Sequence, residues 1–214
     1  MSTYVKAIIA IVIASIFWGS AGIVAKTLLV HFDPYFISLI RSIIASIFIL
    51  PLFLRQKRYP FRKIVKDIIP ISILSALNFG LYYIGMQWTT VNASAVMYAA
   101  TPLLVTIIST QLIHEKISIK KLIGIIIGFI GVISILLLPQ VGKGDVGFGA
   151  PVGNLMLLIA VTCWSLYIVG SRYLTNTKHY DPLFVTSIAM FTSAVFLCII
   201  NLFVPHHIDI AAFI

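Results

Sequence analysis

Apolar residues in this chain come in long runs of about twenty or more, broken by short polar joints. An α-helix rises 1.5 Å per residue, so about 20 apolar residues cross the roughly 30 Å hydrocarbon layer of a bilayer. Seven runs qualify, at about 5 to 30, 34 to 54, 64 to 88, 91 to 112, 119 to 138, 151 to 174 and 181 to 204. Between them stand residues that end or turn helices. These are Asp33-Pro34, the basic run Arg55 to Lys63 with Pro60, the joint Thr89 to Val91, His114 to Lys121, the glycine-rich stretch Pro139 to Pro151, and Thr175 to Pro182. No joint has room for a soluble domain. The pattern predicts an all-α integral membrane protein with seven transmembrane helices, and the lipid bilayer as its main partner.

The pattern also repeats. At an offset of 146, Ile13, Ala14, Trp18 and Leu28 meet Ile159, Ala160, Trp164 and Leu174, and Lys26 faces Arg172. Two extra loop residues shift the offset to 148, where Asp33, Pro34, Phe36, Ile40, Phe48 and Leu54 meet Asp181, Pro182, Phe184, Ile188, Phe196 and Leu202. Five helices separate the two starts, and an odd number reverses the direction of crossing, so the copies are expected to be inverted five-helix repeats around a central cavity. The second copy shows two helices, with 206–214 leading toward a third. A completed pair would have ten helices, and the expectation is therefore a fragment or truncated product.

Composition agrees with lipid as solvent: 60% of residues are hydrophobic and 10% charged, with a mean hydropathy of +1.09, too apolar for one soluble core. The formal charge of +9 bears on orientation. Six Lys or Arg follow the second run (Arg55, Lys57, Arg58, Arg62, Lys63, Lys66), three follow the fourth (Lys116, Lys120, Lys121) and two lie near the end of the sixth (Arg172, Lys178), whereas the alternate joints hold only Lys143. The positive-inside rule then puts the basic joints and the N-terminus with Lys6 in the cytoplasm of a cell (inner) membrane protein. These cations are interfacial and lack interleaved exposed aromatics, so nucleic acid is not expected as a partner. The first run is too long for a signal peptide, and its copy lies deep in the chain. Cys163 and Cys198 fall inside apolar runs and imply neither a disulfide nor a metal site.

A few polar positions inside the runs are candidates for chemistry. Ser15, Trp18, Gly19, Gly22 and Lys26 share one helix face, suited to close helix contact or to a cavity for an anionic group, with snorkelling to water the plainer reading of Lys26. Arg41 lies eight residues past Asp33, roughly 12 Å into the membrane. Its guanidinium stays charged and needs hydration, a carbonyl or a carboxylate, and no partner is obvious. Ser75, Asn78, Tyr82 and Gly85 form one stripe and Ser94, Tyr98 and Thr101 another, which either neighbouring helices or a solute in a wet cavity would satisfy. Pro102 frees the carbonyl near residue 98 and is expected to bend the fourth helix there. Trp164 and Tyr167 would add aromatic walls, while Tyr4 and Trp88 read as interfacial anchors. Gly124, Gly128 and Gly131 form a small-residue seam that admits another helix. Glu115 is expected to pair with Lys116, Lys120 or Lys121. No phosphate loop, zinc-spaced His set or catalytic triad appears, so no cofactor, metal or enzymatic activity is expected, and His206-His207 lacks further ligands.

Phe17-Trp18-Gly19-Ser20 with Lys26, Asp33-Pro34 with Arg41, and the run from Ala93 to Leu137 together resemble the EamA-type carriers of the drug/metabolite transporter superfamily. The resemblance covers nearly the whole chain. It implies a first five-helix repeat over 1–138, an external linker over 139–150 and an incomplete second repeat over 151–214. In such carriers a glycine seam packs repeats or subunits, which leaves a homodimer open. The expected function is secondary transport of a small metabolite such as an amino acid, outward and by alternating access. The substrate-binding residues would be Trp18, Lys26, Arg41, Asn78, Tyr82, Tyr98, Thr101, Trp164 and Tyr167, lying between the first, third, fourth and sixth helices. Lys26 and Arg41 would provide a positive potential for a carboxylate. The spans lack midplane acids, which argues for exchange or for coupling through other groups. Three other readings compete. A retinal-type receptor would need a lysine in helix seven, and Phe184 to Val204 has none; a membrane enzyme would need paired acids or a nucleophile with its base. A non-transporting or lipid-flipping subunit differs in moving no soluble solute by itself.

Overall fold

The computed structural model describes residues 3–114, 116–137 and 149–204. Within them are α1 (Thr3–Leu28), α2 (Pro34–Phe53), α3 (Phe61–Trp88), α4 (Val91–Leu112), α5 (Ile119–Leu137), α6 (Pro151–Asn176) and α7 (Pro182–Asn201). Six of them, all but α5, are long and apolar enough throughout to cross a membrane, and the 19 residues of α5 reach about 28 Å at 1.5 Å per residue. The protein is an all-α membrane protein. The expectations for Glu115, for Lys143 and for 206–214 fall outside the described residues.

Local chemistry sets the helix starts. Asp33 caps α2 by accepting the Phe36 N–H at 2.8 Å, and Asp181 caps α7 by accepting those of Leu183 at 2.8 Å and Phe184 at 3.1 Å. In each case proline follows at the first helical position, where a missing N–H costs nothing. α3 starts three residues earlier than expected and passes through a π-helical turn over Ile64–Ile68 before its α-helical body from Ile69. α4 breaks at Ala100 into Val91–Ala99 and Thr101–Leu112. Pro102 has no N–H for the Tyr98 carbonyl, and the Thr101 hydroxyl donates to it instead at 2.6 Å.

α3 and α6 form the most closely packed pair, with α7 against α2 and α3 and with α4 along α6, while α1 and α5 are peripheral. The helices α2 and α7, which the sequence pattern pairs, run antiparallel. Tyr35 at the start of α2 receives the Asn201 amide from the end of α7 at 3.1 Å, while Phe53 at the end of α2 lies 5.4 Å from Phe184 at the start of α7. Isoleucines and phenylalanines such as Ile11, Ile16, Phe17 and Phe48 face outward, as an apolar solvent requires.

The two ends of the bundle are closed differently. Near the basic joints, Ile68, Leu174, Tyr180, Phe184 and Val185 form one buried cluster. There Asp67 accepts from Lys178 Nζ at 2.6 Å and from the Tyr180 hydroxyl at 2.9 Å. Burial, with the Asp67 carboxylate adding to it, pushes the Tyr180 phenol up to about 12 and keeps it a donor. At the far end, Ala25, Ile37, Tyr83, Met86 and Leu157 form a second cluster. Here the backbones of α3 and α6 nearly touch: the Ala150 N–H donates to the Trp88 carbonyl at 2.7 Å, and a Cβ on Gly153 would lie 2.8 Å from the Gly85 oxygen.

Candidate functional site

A cavity of about 220 Å³ opens among α1, α2, α3, α4 and α6. That is below the roughly 300–1,000 Å³ of drug-sized sites, and it suits a small solute. Gly19 and Gly22 make room for it on α1. A Cβ on Gly19 would meet nothing within 4 Å, whereas one on Gly22 would come to 3.2 Å from Val91 Cγ1 and 3.6 Å from the Tyr82 hydroxyl.

The walls are aromatic. Trp18 and Trp164, which the sequence pattern pairs, face each other with ring centroids 5.5 Å apart, and Trp164 stacks at 5.3 Å on Tyr167 behind it. Tyr82 meets Tyr98 edge-on at 5.4 Å. Asn78 ties the wall together, donating to the Tyr98 hydroxyl at 2.6 Å and to the Ala160 carbonyl of α6 at 2.8 Å. Both amide hydrogens are thereby used, so Asn78 positions Tyr98 from the adjacent helix.

Among the described residues, Arg41 is the one charged residue lining this cavity. Its guanidinium carbon lies 4.8 Å from the centroid of Phe79. Stacking on a ring face supports a cation while leaving its N–H edge free to bind. The Trp164 indole N–H is buried with no hydrogen-bond partner and so is not presented to the cavity. A cation with no acid among the described lining residues creates an electrostatic environment for an anionic group.

Of the expected site residues, Trp18, Arg41, Asn78, Tyr82, Tyr98 and Trp164 come together around this cavity. Tyr167 backs Trp164. Thr101 lines a second hollow of about 670 Å³ beside α5, which Trp18 and Tyr98 share and which Lys121, Gly124 and Gly128 also border. Lys26, in the last turn of α1, lines neither. The stripe on α3 divides: Asn78 and Tyr82 face the cavity, while Ser75 is buried and Gly85 packs on Gly153 and Leu157. A Cβ on Gly124, Gly128 or Gly131 would meet nothing within 4 Å, so no described helix packs into that seam. Phe79 was not expected. Its only sequence signal is Arg41 itself, a buried-depth cation that needs some partner.

Sequence comparisons agree with this architecture. Residues 5–137 match the EamA-like transporter family. The chain is 26% identical over 202 residues to the uncharacterized transporter YoaV of Bacillus subtilis, covering 92% of this chain and 67% of the relative. It is 32% identical over 162 residues to YetK of the same organism, another uncharacterized transporter, covering 73% and 48%. A third relative, the S-adenosylmethionine/S-adenosylhomocysteine transporter of Chlamydia muridarum, is 28% identical over 168 residues, covering 75% and 52%. The chain thus spans between about half and two thirds of the length of these relatives.

Proposed function

The chain belongs to the EamA-like transporter family, and from that premise we propose that it exports a small metabolite such as an amino acid by alternating access. It lies in the cell (inner) membrane with its N-terminus and basic joints in the cytoplasm. Residues 1–138 form one five-helix repeat, 139–150 an external linker, and 151–214 belong to an inverted second repeat. The antiparallel course of α2 and α7, and the face-to-face tryptophans of α1 and α6, support that division.

The observation that carries the reading is the small aromatic cavity between the repeats, with Arg41 as its charged liner. A carboxylate binds the guanidinium edge, held in place by Phe79, and a flat body lies against Trp18 and Trp164. Tyr82 and Tyr98 close the other wall, Asn78 orients Tyr98, and Thr101 stabilises the bend that presents it. Lys26, one turn beyond Gly22, adds positive potential at the far end. This charge pattern favours a zwitterion or anion over a cation such as the S-adenosylmethionine carried by the Chlamydia relatives. Such a solute is therefore the informative comparison in transport assays.

The test is flux in reconstituted vesicles. Tyr98→Ala removes a wall and the acceptor of the Asn78 amide. It is expected to lower amino-acid flux by about tenfold, as the loss of roughly 1.4 kcal/mol of interaction implies, with membrane insertion intact. Flux equal to the parent's would take Tyr98 out of the site.

A further inference from the structure

Asp67 is the one acidic residue within the described helices, and it joins segments far apart in the chain. Oδ1 takes Lys178 Nζ at 2.6 Å and Oδ2 takes the Tyr180 hydroxyl at 2.9 Å. The Tyr180 ring lies 4.8 Å from that of Tyr59, whose hydroxyl in turn accepts the Asp181 N–H at 3.1 Å. Side chains at 59 and 67 therefore hold the α6–α7 joint from one side. Behind them, Ile71 sits against Gly170, where a Cβ would come to 2.8 Å from Ile71 Cγ2.

The ends of the α3–α6 pair differ in kind. At the far end backbone meets backbone, through the Ala150–Trp88 hydrogen bond and the approach of Gly153 to Gly85. Parting the helices there breaks a main-chain hydrogen bond and separates backbones in direct contact, which no side-chain rotation can accommodate. At the basic end the link is made by side chains, and Lys178 is 37% exposed, so water can replace its ammonium at Asp67 at small cost. Asp67 also stands inside the π-helical turn of α3, and a locally wider helical turn marks a point of adjustment in a helix.

We infer that Asp67, with Lys178 and Tyr180, is the latch of a gate at the basic end of the bundle. Engaged, it holds the α2–α3 and α6–α7 joints together over the apolar plug of Ile68, Ile71 and Leu174 and seals the cavity from that face. Released, it lets α3 and α6 part at this end while their far-end backbone contact acts as the pivot. Alternating access needs one such breakable closure on each side. The inference rests on the transport reading above.

The test reads accessibility and needs no transported solute. In the full chain with Cys163 and Cys198 replaced by alanine, one cysteine is placed behind the latch (Ile71→Cys) and another, separately, at the far end (Leu157→Cys). Each is labelled by a membrane-impermeant maleimide applied from the basic face. Asp67→Asn and Lys178→Gln are each expected to speed labelling at 71 by about three- to tenfold, leaving 157 slow. The exchange Asp67→Lys with Lys178→Asp is expected to return the rate toward the parent's. Unchanged labelling at 71, an exchange as fast as the single variants, or equal acceleration at 157 would overturn the latch, the last because it reports general loss of packing. Labelling as expected in a protein that moves no solute would leave the latch standing and remove the transport reading instead.

Discussion

Gly153 and Gly19 both lie in membrane-spanning helices, yet an added methyl group would meet opposite surroundings. At Gly153 it would sit 2.8 Å from the Gly85 oxygen and from the Trp88 carbonyl carbon, both backbone atoms. Neither can turn aside as a side chain would, so the helices must separate. Gly153→Ala is expected to lower thermal stability in detergent by about 1–3 kcal/mol, the usual range for overpacking. At Gly19 no atom lies within 4 Å, so Gly19→Ala is expected to leave stability within about 0.5 kcal/mol of the parent. Gly19→Leu, in contrast, would fill the cavity and lower flux without unfolding the protein. A Gly153→Ala protein as stable as the parent would mean that α3 and α6 do not approach as closely as described. Of the two, only Gly19 was visible in the sequence as a small position on a helix face. Whether each faced a neighbour or open space was not, since that depends on a second helix.

At the scale of the element, the break in α4 couples a backbone defect to the site. Pro102 deprives the Tyr98 carbonyl of its helical donor, and the Thr101 hydroxyl supplies one at 2.6 Å. Thr101→Val keeps the shape and removes that donor, leaving the Tyr98 carbonyl beside the cavity with only the Ala100 N–H. The expected cost is about 1–3 kcal/mol, with lower flux because the Tyr98 ring shifts, whereas Thr101→Ser retains both. Comparing thermal unfolding and flux across the two variants checks this, and a valine variant with parental flux would separate the bend from function. The bend itself was legible, because proline acts on its own helix. The π-helical turn that carries Asp67 has a comparable origin, since Pro70 has no N–H for the Lys66 carbonyl four residues back, inside Ile64–Ile68.

For the whole molecule, the arrangement of ends makes a topological prediction. Single cysteines at Arg58 and Lys178 are expected to react with an impermeant maleimide from the same, cytoplasmic side, and one at His31 from the opposite side. Arg58 and Lys178 labelled from opposite faces would contradict both the inverted crossing of α1 and α6 and the placing of the latch. The antiparallel meeting of α2 with α7, Tyr35 to Asn201 at one end and Phe53 to Phe184 at the other, is what such a topology requires.

The solvent, the helices and their likeness were all legible along the chain. Run length, the need to satisfy backbone groups in lipid, and Asp-Pro capping all act within some twenty residues of chain. The basic joints and the two tryptophans were equally readable, the first from charge and the second from recurrence. Which polar faces meet a cavity and which meet another helix was set by the packing of the bundle. That packing put Trp18 against Trp164, Phe79 beneath Arg41, Gly85 against Gly153, and Asp67 against Lys178 and Tyr180. Helical periodicity states which residues share a face. What that face touches depends on the rotation and depth of two helices together, a pairwise quantity that neither helix encodes alone.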